Sequence, residues 1–346
     1  MFGFNCRVTR KLCGYERRAV EGLLERSGLV FEGSPDYTAV AEDCDENIVA
    51  TASLSGSVIK MVAADPRWQE AGLSGAVISA LMRAAREDGL YHLFVYTKPE
   101  MAERFAGLGF RELAASSRSV LMECGAPGVE DYRRSLEALR RENGAPAAAA
   151  VMNCNPFTLG HRYLIEEAAK RSPLFYVIVV EEDASVFPFA DRLELVRGGT
   201  ADIANVRVIS SSHYAVSAAT FPTYFLKDRG ESSVARAQAE LDARLFASLF
   251  APSLGLERRF VGTEPLSFVT ALYNSVLKET LPGLGCEVTE ISRAASGGEV
   301  ISASRVRAMI AAGEEVGLAA LLPAVTLEYL KTPRGAAVAA KLRDAR

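Results

Sequence analysis

Histidine is scarce in this chain. Only three histidines occur among its 346 residues, at positions 92, 161 and 213. They are too few to build a histidine-rich metal centre, and we expect no metal ion held by protein ligands alone. An excess of basic charge is also missing, since 39 Lys and Arg face 43 Asp and Glu for a formal net charge of −4. Nucleic-acid binding depends on a basic surface that neutralises phosphates, so no nucleic-acid partner is expected.

Paired cysteines and long apolar runs are missing as well. The six cysteines form no CxxC pair, which disfavours a zinc knuckle or a thioredoxin-like motif. No apolar segment typical of a signal peptide follows the first residues, and no window approaches the roughly 18 apolar residues needed to cross a bilayer. We therefore expect a reduced, cytoplasmic protein without a membrane partner.

The length and composition predict two globular domains. A domain takes roughly 150 residues, and the 49% hydrophobic and 24% charged content is ordinary for a globular chain. Gly125, Pro127 and Gly128 interrupt the pattern, a highly charged helix is predicted at 129–143, and Gly144 and Pro146 follow it. The predicted organisation is a domain at 1–125, a helical linker at 126–146 and a second domain at 147–346.

Both domains are predicted to be α/β. The first has a mixed pattern, with strands at 37–41, 48–55, 58–63 and 90–97 and helices at 16–27, 75–88 and 100–108. The second alternates strands at 147–153, 174–181, 206–210, 260–262 and 286–292 with helices at 160–171, 190–202, 267–280 and 302–312. Regular alternation indicates a parallel sheet covered by helices, and ligands bind such sheets at the carboxyl ends of the strands.

The segment 153–161 lies directly between the first strand of the second domain and the following helix. A helix N-terminus presents backbone N–H groups and favours an anion such as phosphate. Gly160 allows the backbone to approach a ligand closely, and His161 in the first turn can reach a phosphate oxygen. A solvent-facing histidine at a helix start is the plain alternative for an isolated His161.

The sequence from Thr158 to His161 has the form TxGH and resembles the signature of the nucleotidyltransferase superfamily. The preceding Asn155, Pro156 and Phe157 also resemble that superfamily, and Asn153 opens the same loop. Thr158 stands where a first histidine is common, and its hydroxyl can donate a hydrogen bond but carries no charge. The resemblance implies a Rossmann-like domain that binds ATP together with Mg²⁺.

A second element of that superfamily lies near the C-terminus. Ile301, Ser302, Ser304 and Arg307 belong to an ISxSxxR sequence that resembles the ISSTxxR element. Ser302 is a suitable N-cap, so Ser304 and Arg307 would lie in the first turns of a helix and donate to ATP phosphates. Together the two elements predict His161, Thr158, Ser304 and Arg307 as the catalytic group.

Longer stretches of the second domain resemble one family, the citrate lyase ligases. They are 152–165, 187–193, 219–227 and 260–265. The resemblance implies that acetate is adenylated by ATP and then passed to the phosphopantetheine-like thiol on the acyl-carrier subunit of citrate lyase, with release of AMP and pyrophosphate. Within these stretches, Arg192 is a candidate for the triphosphate, and Gly262 and Glu264 are candidates for the adenine or ribose. For Arg192 a surface position, and for Glu264 an exposed loop position, are equally plausible.

The family also carries an N-terminal acetyltransferase-like (GNAT-like) domain. Gln69, Gly72 and Gly75 match its pyrophosphate-binding turn, with Ser74 at a position where glycine or alanine is usual. This departure leaves open whether the domain binds a pantetheine arm or only docks the carrier protein.

Three alternative functions remain open from the sequence alone. The same two motifs serve adenylyltransferases that act on phosphopantetheine or a mononucleotide. The second alternative is a carrier-docking or ligand-sensing protein with vestigial sites, and the intact motifs argue against it. The third is an acetyltransferase that uses acetyl-CoA, and Ser74 argues against that one.

Overall fold

The computed structural model describes residues 4–144, 146–181, 185–215, 230–264, 267–296, 299–314 and 316–345. The described residues within Met1–Tyr132 and Phe221–Leu241 form one compact unit, and those within Arg133–Thr220 and Asp242–Arg346 form the other. We call them unit 1 and unit 2. Helices α4 (Val129–Asn143) and α7 (Glu231–Leu245) each contain a boundary between the units. The domain limits expected from the sequence stay a prediction.

Unit 1 is built on a mixed sheet with the strand order β1-β2-β3-β4-β5-β7-β6. Neighbouring strands are antiparallel except β4 and β5, whose parallel pairing is limited to Val58 with Phe94 and Ile59 with Val95. The strands are β1 (Asn5–Thr9), β2 (Tyr37–Glu42), β3 (Ile48–Ser55), β4 (Val58–Ala64), β5 (His92–Thr97), β6 (Arg111–Ala115) and β7 (Val120–Gly125). The helices of this unit are α1 (Gly14–Arg26), α2 (Leu73–Glu87) and α3 (Ala102–Ala106), with short 3-10 turns at Pro66–Ala71 and Pro99–Met101.

Helix α2 packs against β1 to β4 of this sheet because its apolar residues recur with helical spacing. Leu73, Val77, Leu81 and Ala85 are buried and share one core with the strands. The helix begins after Gly72, whose φ of 68° lies in the left-handed region that favours glycine. Gly72 therefore sets the sharp turn that separates the 3-10 turn from α2.

Unit 2 is built on a parallel sheet with the strand order β10-β9-β8-β11-β12. Its strands are β8 (Ala147–Met152), β9 (Phe175–Val179), β10 (Val206–Ser210), β11 (Leu256–Gly262) and β12 (Glu287–Ile291), and β13 (Ala295–Ser296) pairs separately with β14 (Glu299–Val300). Its helices are α5 (Leu159–Ala169), α6 (Phe189–Gly198), α8 (Ala251–Leu254), α9 (Phe268–Thr280), α10 (Ala303–Ala312), α11 (Ala324–Leu330) and α12 (Pro333–Asp344). A π-helical turn at Phe246–Phe250 and 3-10 turns at Pro282–Leu284 and Leu318–Ala320 complete the unit as described.

The central strands of unit 2 are apolar because helices cover both faces of the sheet. β9 is buried along its whole length, and β8 is a run of four alanines followed by Val151 and Met152. All four strand pairings are parallel. The predicted fold class, α/β with a parallel sheet in the second domain, is confirmed.

The strand order places a topological switch point between β8 and β11. The chain runs outward from β8 through β9 to β10 and then returns to the other side of β8 as β11 and β12. Crossover connections leave in opposite directions from the carboxyl ends of β8 and β11, which opens a crevice where ligands bind in sheets of this kind. The loop that carries the TxGH sequence follows β8 and therefore borders this crevice.

Strand β11 begins at Leu256, earlier than the predicted start at residue 260. Its first half was missed because it is charged. Arg259 nevertheless lies inside, with its Nη1 2.9 Å from Asp242 Oδ2 and its guanidinium 4.6 Å from the centre of the Phe246 ring. The Tyr273 hydroxyl donates to the same carboxylate at 2.5 Å. A buried charge needs such partners, and the sequence alone gives no sign of them.

Within the described part of the chain, no helix is both long and apolar enough to span a bilayer.

Gly199 provides a test of how tightly the loop after β8, which contains Phe157, is packed. A Cβ at this position would lie 2.3 Å from Cε1 of the fully buried Phe157. We expect Gly199→Ala to lower the free energy of unfolding by about 1–3 kcal/mol, since the ring or the helix must move. Denaturant unfolding measures the change. Gly283→Ala, where a Cβ meets nothing within 4 Å, is the matched control and should differ little from the parent chain. Equal stability of the two variants would contradict the close packing.

Candidate active site

The two sequence motifs meet in unit 2 at the N-terminus of α5. A Cβ on Gly160 would lie 3.0 Å from the Ile301 carbonyl oxygen and 3.4 Å from the Ile301 Cβ. Glycine is thus required here by a close approach of two chain segments, not by an unusual φ angle. The contact places the first turn of α5 directly against the residue before the N-cap of α10.

Thr158 and His161 hold each other in a capping box at the start of α5. The Thr158 hydroxyl accepts from the His161 backbone N–H at 3.3 Å, and His161 Nδ1 accepts from the Thr158 backbone N–H at 3.1 Å. The Thr158 hydroxyl also lies 2.9 Å from Nδ1. Thr158 is buried, so its side chain serves first to fix the histidine ring.

The protonation state of His161 follows from these contacts. Burial and the positive charge of Arg293 lower the pKa of His161 to about 4, so the ring is neutral at pH 7. Because Nδ1 accepts a hydrogen bond, the single proton is on Nε2. Nε2 has no partner among the described residues, so His161 presents one neutral N–H donor.

The second motif starts α10 and supports the loop after β8. Ser302 caps the helix by accepting from the Arg305 backbone N–H at 3.2 Å, and its hydroxyl lies 3.2 Å from that of the exposed Ser304. Arg307 Nη1 donates to the Asn155 carbonyl oxygen at 2.6 Å, and burial lowers the pKa of Arg307. The structure therefore brings Thr158, His161, Ser302, Ser304 and Arg307 to one end of the sheet.

Arg192 lies neither at the surface nor in an open phosphate site, the two positions considered from the sequence. Its side chain is fully buried, and Nη1 donates to the Asn153 carbonyl at 2.7 Å, the Asn153 Oδ1 at 2.9 Å and the Val180 carbonyl at 2.8 Å. Nε donates to the Phe187 carbonyl at 3.0 Å. Arg192 thus ties the chain after β8 to the chain after β9 through Nε and Nη1.

The remaining residues of the loop after β8 divide between the surface and the core. Asn153 is exposed, while the Asn155 Oδ1 accepts from the Phe187 backbone N–H at 3.2 Å. Phe157 is fully buried, and its ring stacks beside the His161 ring with centroids 6.1 Å apart. Phe157 therefore backs the histidine from the core side.

The carboxyl end of β11 carries Gly262 and Glu264. A Cβ on Gly262 would lie 3.2 Å from Leu164 Cδ1 on α5, so this glycine also permits a close approach. Glu264 forms an ion pair with Arg293, whose Nε donates to the Thr263 carbonyl at 2.7 Å. The Glu264 side chain is buried and paired, unlike the exposed loop carboxylate considered as its alternative.

Arg293 is the residue that the sequence analysis missed. It lies just beyond the carboxyl end of β12, after Ser292, and the same rule that drew attention to the ends of β8 and β11 would have found it. It has no motif around it, and only the structure places it beside Thr263 and Glu264.

The candidate residues of unit 1 lie in a separate turn. Gln69 belongs to the 3-10 turn at Pro66–Ala71, Gly72 ends that turn and Gly75 lies in the first turn of α2, so the segment does connect a strand to a helix. Asp65 caps the turn, and hydrogen bonds from Arg67 lower the pKa of the Asp65 carboxyl to about 2. Binding of a pantetheine arm here stays a prediction. The stretch 219–227 and Pro265, which contribute to the family resemblance, lie outside the described residues.

The fold and the geometry define a class of protein: a two-unit α/β chain whose parallel sheet carries a histidine and two helix N-termini at its switch point. Residues 147–330 match the family described as the citrate lyase ligase C-terminal domain. The chain belongs to the citrate lyase ligase family.

Relatives along nearly the whole chain agree with this assignment. The citrate (pro-3S)-lyase ligase of Klebsiella pneumoniae is 39% identical over 91% of this chain and 92% of its own length. The enzyme of the same name from Escherichia coli strain K12 is 40% identical over 83% of this chain and 82% of its own length. These names favour the ligase and not the adenylyltransferase that shares its motifs.

Solved structures similar to part of the chain include two acyltransferases. One is an acyl-CoA N-acyltransferase from Pseudomonas aeruginosa, with 16% identity, 36% of this chain and 100% of that chain covered, and a TM-score of 0.30. The other is the ribosomal-protein-S18-alanine N-acetyltransferase from Escherichia coli, with 16% identity, 35% and 94% coverage, and a TM-score of 0.30.

The protonation state of His161 is open to direct measurement. Because burial and Arg293 lower its pKa to about 4, we expect its ring to stay neutral, with the proton on Nε2, from pH 8 down to about pH 5. Nitrogen-15 NMR of the histidine rings reports both the tautomer and the midpoint. His161→Gln identifies the signals by removing them. A midpoint near the ordinary value of 6.5, or a proton on Nδ1, would contradict the structure.

Proposed function

We propose that this chain activates citrate lyase by acetylating the thiol of the phosphopantetheine-like group on its acyl-carrier subunit. ATP and acetate would form acetyl-adenylate with release of pyrophosphate, and transfer to the thiol would release AMP. The observation that carries the proposal is the contact between the TxGH and ISxSxxR motifs at the switch point, where His161 offers a neutral N–H donor. Family membership supports the choice of citrate lyase as the target.

The first step is a displacement at the α-phosphorus. A carboxylate oxygen of acetate forms a bond to that phosphorus, the bond to the bridging oxygen of the β-phosphate breaks, and pyrophosphate leaves with the electron pair. Acetate is ionised at pH 7, as carboxyl groups ordinarily are, so no general base is needed. The protein's task is positioning and stabilising the charge that develops on the phosphate oxygens.

His161 suits this task because its donor does not change over the working pH range. Its Nε2–H is preorganised by Thr158 and by the ring of Phe157 behind it. Arg307, held through the Asn155 carbonyl, supplies positive charge on the opposite motif. Ser304 and the N-terminus of α10 add further donors.

The second step transfers the acetyl group to the carrier. The thiolate sulfur forms a bond to the acetyl carbon, the bond from that carbon to the phosphate oxygen breaks, and AMP leaves with the electron pair. The thiol proton must be lost first, and we assign no residue of this chain to that role.

Mg²⁺ fits this site only as a companion of ATP. Among the described residues, no group of three or more His, Cys, Asp or Glu side chains is placed to hold a metal ion, and Glu264 is paired with Arg293. Mg²⁺ keeps several waters and binds readily to substrate phosphates, so the phosphates themselves would hold it and shield their charge.

The role of His161 is tested by removing its donor. We expect His161→Ala to lower kcat/KM for acetate-dependent ATP–pyrophosphate exchange by about 10²–10³-fold, or about 3 kcal/mol, the usual loss for a preorganised donor at a developing charge. His161→Gln, which can still place an N–H near the same point, should lose less. Lys170→Ala, an exposed position at the C-cap of the same helix, is the control and should retain full activity. Full exchange activity in His161→Ala would refute the mechanism.

The nature of the acceptor is tested with the carrier. Without it, we expect acetate and ATP to give at most a single burst of pyrophosphate per protein, because acetyl-adenylate stays bound. Addition of the deacetylated acyl-carrier subunit should convert the burst into steady release of AMP and pyrophosphate, which a coupled phosphate assay follows. Turnover with phosphopantetheine or nicotinate mononucleotide, but not with acetate, would select an adenylyltransferase instead.

A further inference from the structure

We infer that Arg293 is a second cationic group of the nucleotide site, that it binds the phosphates which leave as pyrophosphate, and that Glu264 positions it. This inference rests on the proposed function for the identity of the ligand. It gives Glu264 a different role from the ribose contact expected from the sequence.

The need for a further cation follows from the state of His161. A neutral imidazole donates one hydrogen bond but carries no charge, whereas a triphosphate brings several negative charges into a partly buried site. Arg192 is fully buried and bound to backbone carbonyls, and Thr158 and Ser304 are uncharged. Arg307 is the other cation predicted from the sequence. One of its N–H groups donates to the Asn155 carbonyl oxygen, and its remaining N–H groups have no partner among the described residues.

Position is the second argument. Arg293 follows the carboxyl end of β12, and its backbone N–H donates to the Thr263 hydroxyl at 3.2 Å, beside the carboxyl end of β11. The next residue, Ala294, accepts from the Ile301 backbone N–H at 3.0 Å, and Ile301 contacts Gly160. A continuous set of contacts thus joins Arg293 to the start of α5, where His161 lies.

The side chain of Arg293 is held but not saturated. Nε donates to the Thr263 carbonyl and Nη2 pairs with Glu264, while Nη1 has no partner among the described residues. The side chain is 29% exposed, against 7% for that of Glu264. Glu264 is therefore the more buried partner and fixes Nη2, which leaves Nη1 for a further acceptor. A planar guanidinium fixed at two points presents its remaining N–H groups in a defined direction, which suits a phosphate oxygen.

Nucleotide binding separates this role from a structural one. We expect Arg293→Met to weaken ATP binding at least tenfold in calorimetry and to leave AMP binding within twofold, because AMP lacks the phosphates that Arg293 would contact. Arg293→Lys should recover part of the ATP affinity and of the exchange rate. Glu264→Gln should lower the exchange rate about three- to tenfold, and its effect should largely vanish in the Arg293→Met background. Arg171→Met, which removes an exposed arginine just after α5 and its ion pair with Glu167, is the matched control and should leave the binding of both nucleotides unaffected.

The outcomes distinguish the inference from the function on which it rests. If the parent chain shows no acetate-dependent exchange but still prefers ATP to AMP through Arg293, the proposed function fails and the inference stands. If the parent chain is active and Arg293→Met changes ATP and AMP binding alike, or neither, the inference is wrong. Circular dichroism and melting temperature establish folding, and Arg293→Gln takes the place of the Met variant if that one does not fold.

Discussion

The close approach of Gly160 to Ile301 is the constraint on which the rest of the site depends. Helix N-termini attract anions generally, but one helix start supplies only a few donors. Here the missing side chain of a single glycine lets two helix starts, α5 and α10, share one region at the switch point. The hydrogen bond from Arg307 to the Asn155 carbonyl then locks the second helix to the loop of the first.

In this site a neutral histidine supplies a directed hydrogen-bond donor, and arginines supply the positive charge. His161 is kept neutral by burial and by a neighbouring guanidinium, so it contributes direction without charge. Charge comes from arginines, and each of the three near the loops has a distinct role set by its surroundings. Arg192 donates to backbone carbonyl oxygens inside unit 2, and Arg307 donates one hydrogen bond to the loop after β8. Arg293 is paired with the Glu264 carboxylate. The same residue type thus serves as structural tie, bridge and ligand-facing group.

Much of the fold was predictable because its signals are local. Helix α4 begins and ends where its charge and helical spacing place it. Strand β10 does so because its short apolar run is unambiguous. Strand β6 and the first half of β11 were not found, because charged residues interrupt the apolar pattern in both of them. In the described part of unit 2, helices α11 and α12 were missed as well, although they pack on the motif-bearing core.

The candidate site was predictable to the extent that it rests on motifs. The two motifs named Thr158, His161, Ser302 and Arg307, and the structure places the first turn of α5 against the residue before α10. Their roles in binding and catalysis stay a prediction. The pairing of Glu264 with Arg293, the burial of Arg192 and the tautomer of His161 depend on distances between segments far apart in the chain. No single-sequence pattern carries that information.

The four alanines of β8 have a consequence for how this protein tolerates sequence drift. Ala148 and Ala150 share a core with Ile165 and Ala168 of α5, so small side chains line this part of the sheet beneath the helices. A larger residue there would be accommodated by lifting the helix by a fraction of its diameter, which the fold can survive. The lift would open the gap at Gly160, so an apolar exchange in the core that costs only about 1–3 kcal/mol of stability would also displace the loop that carries His161.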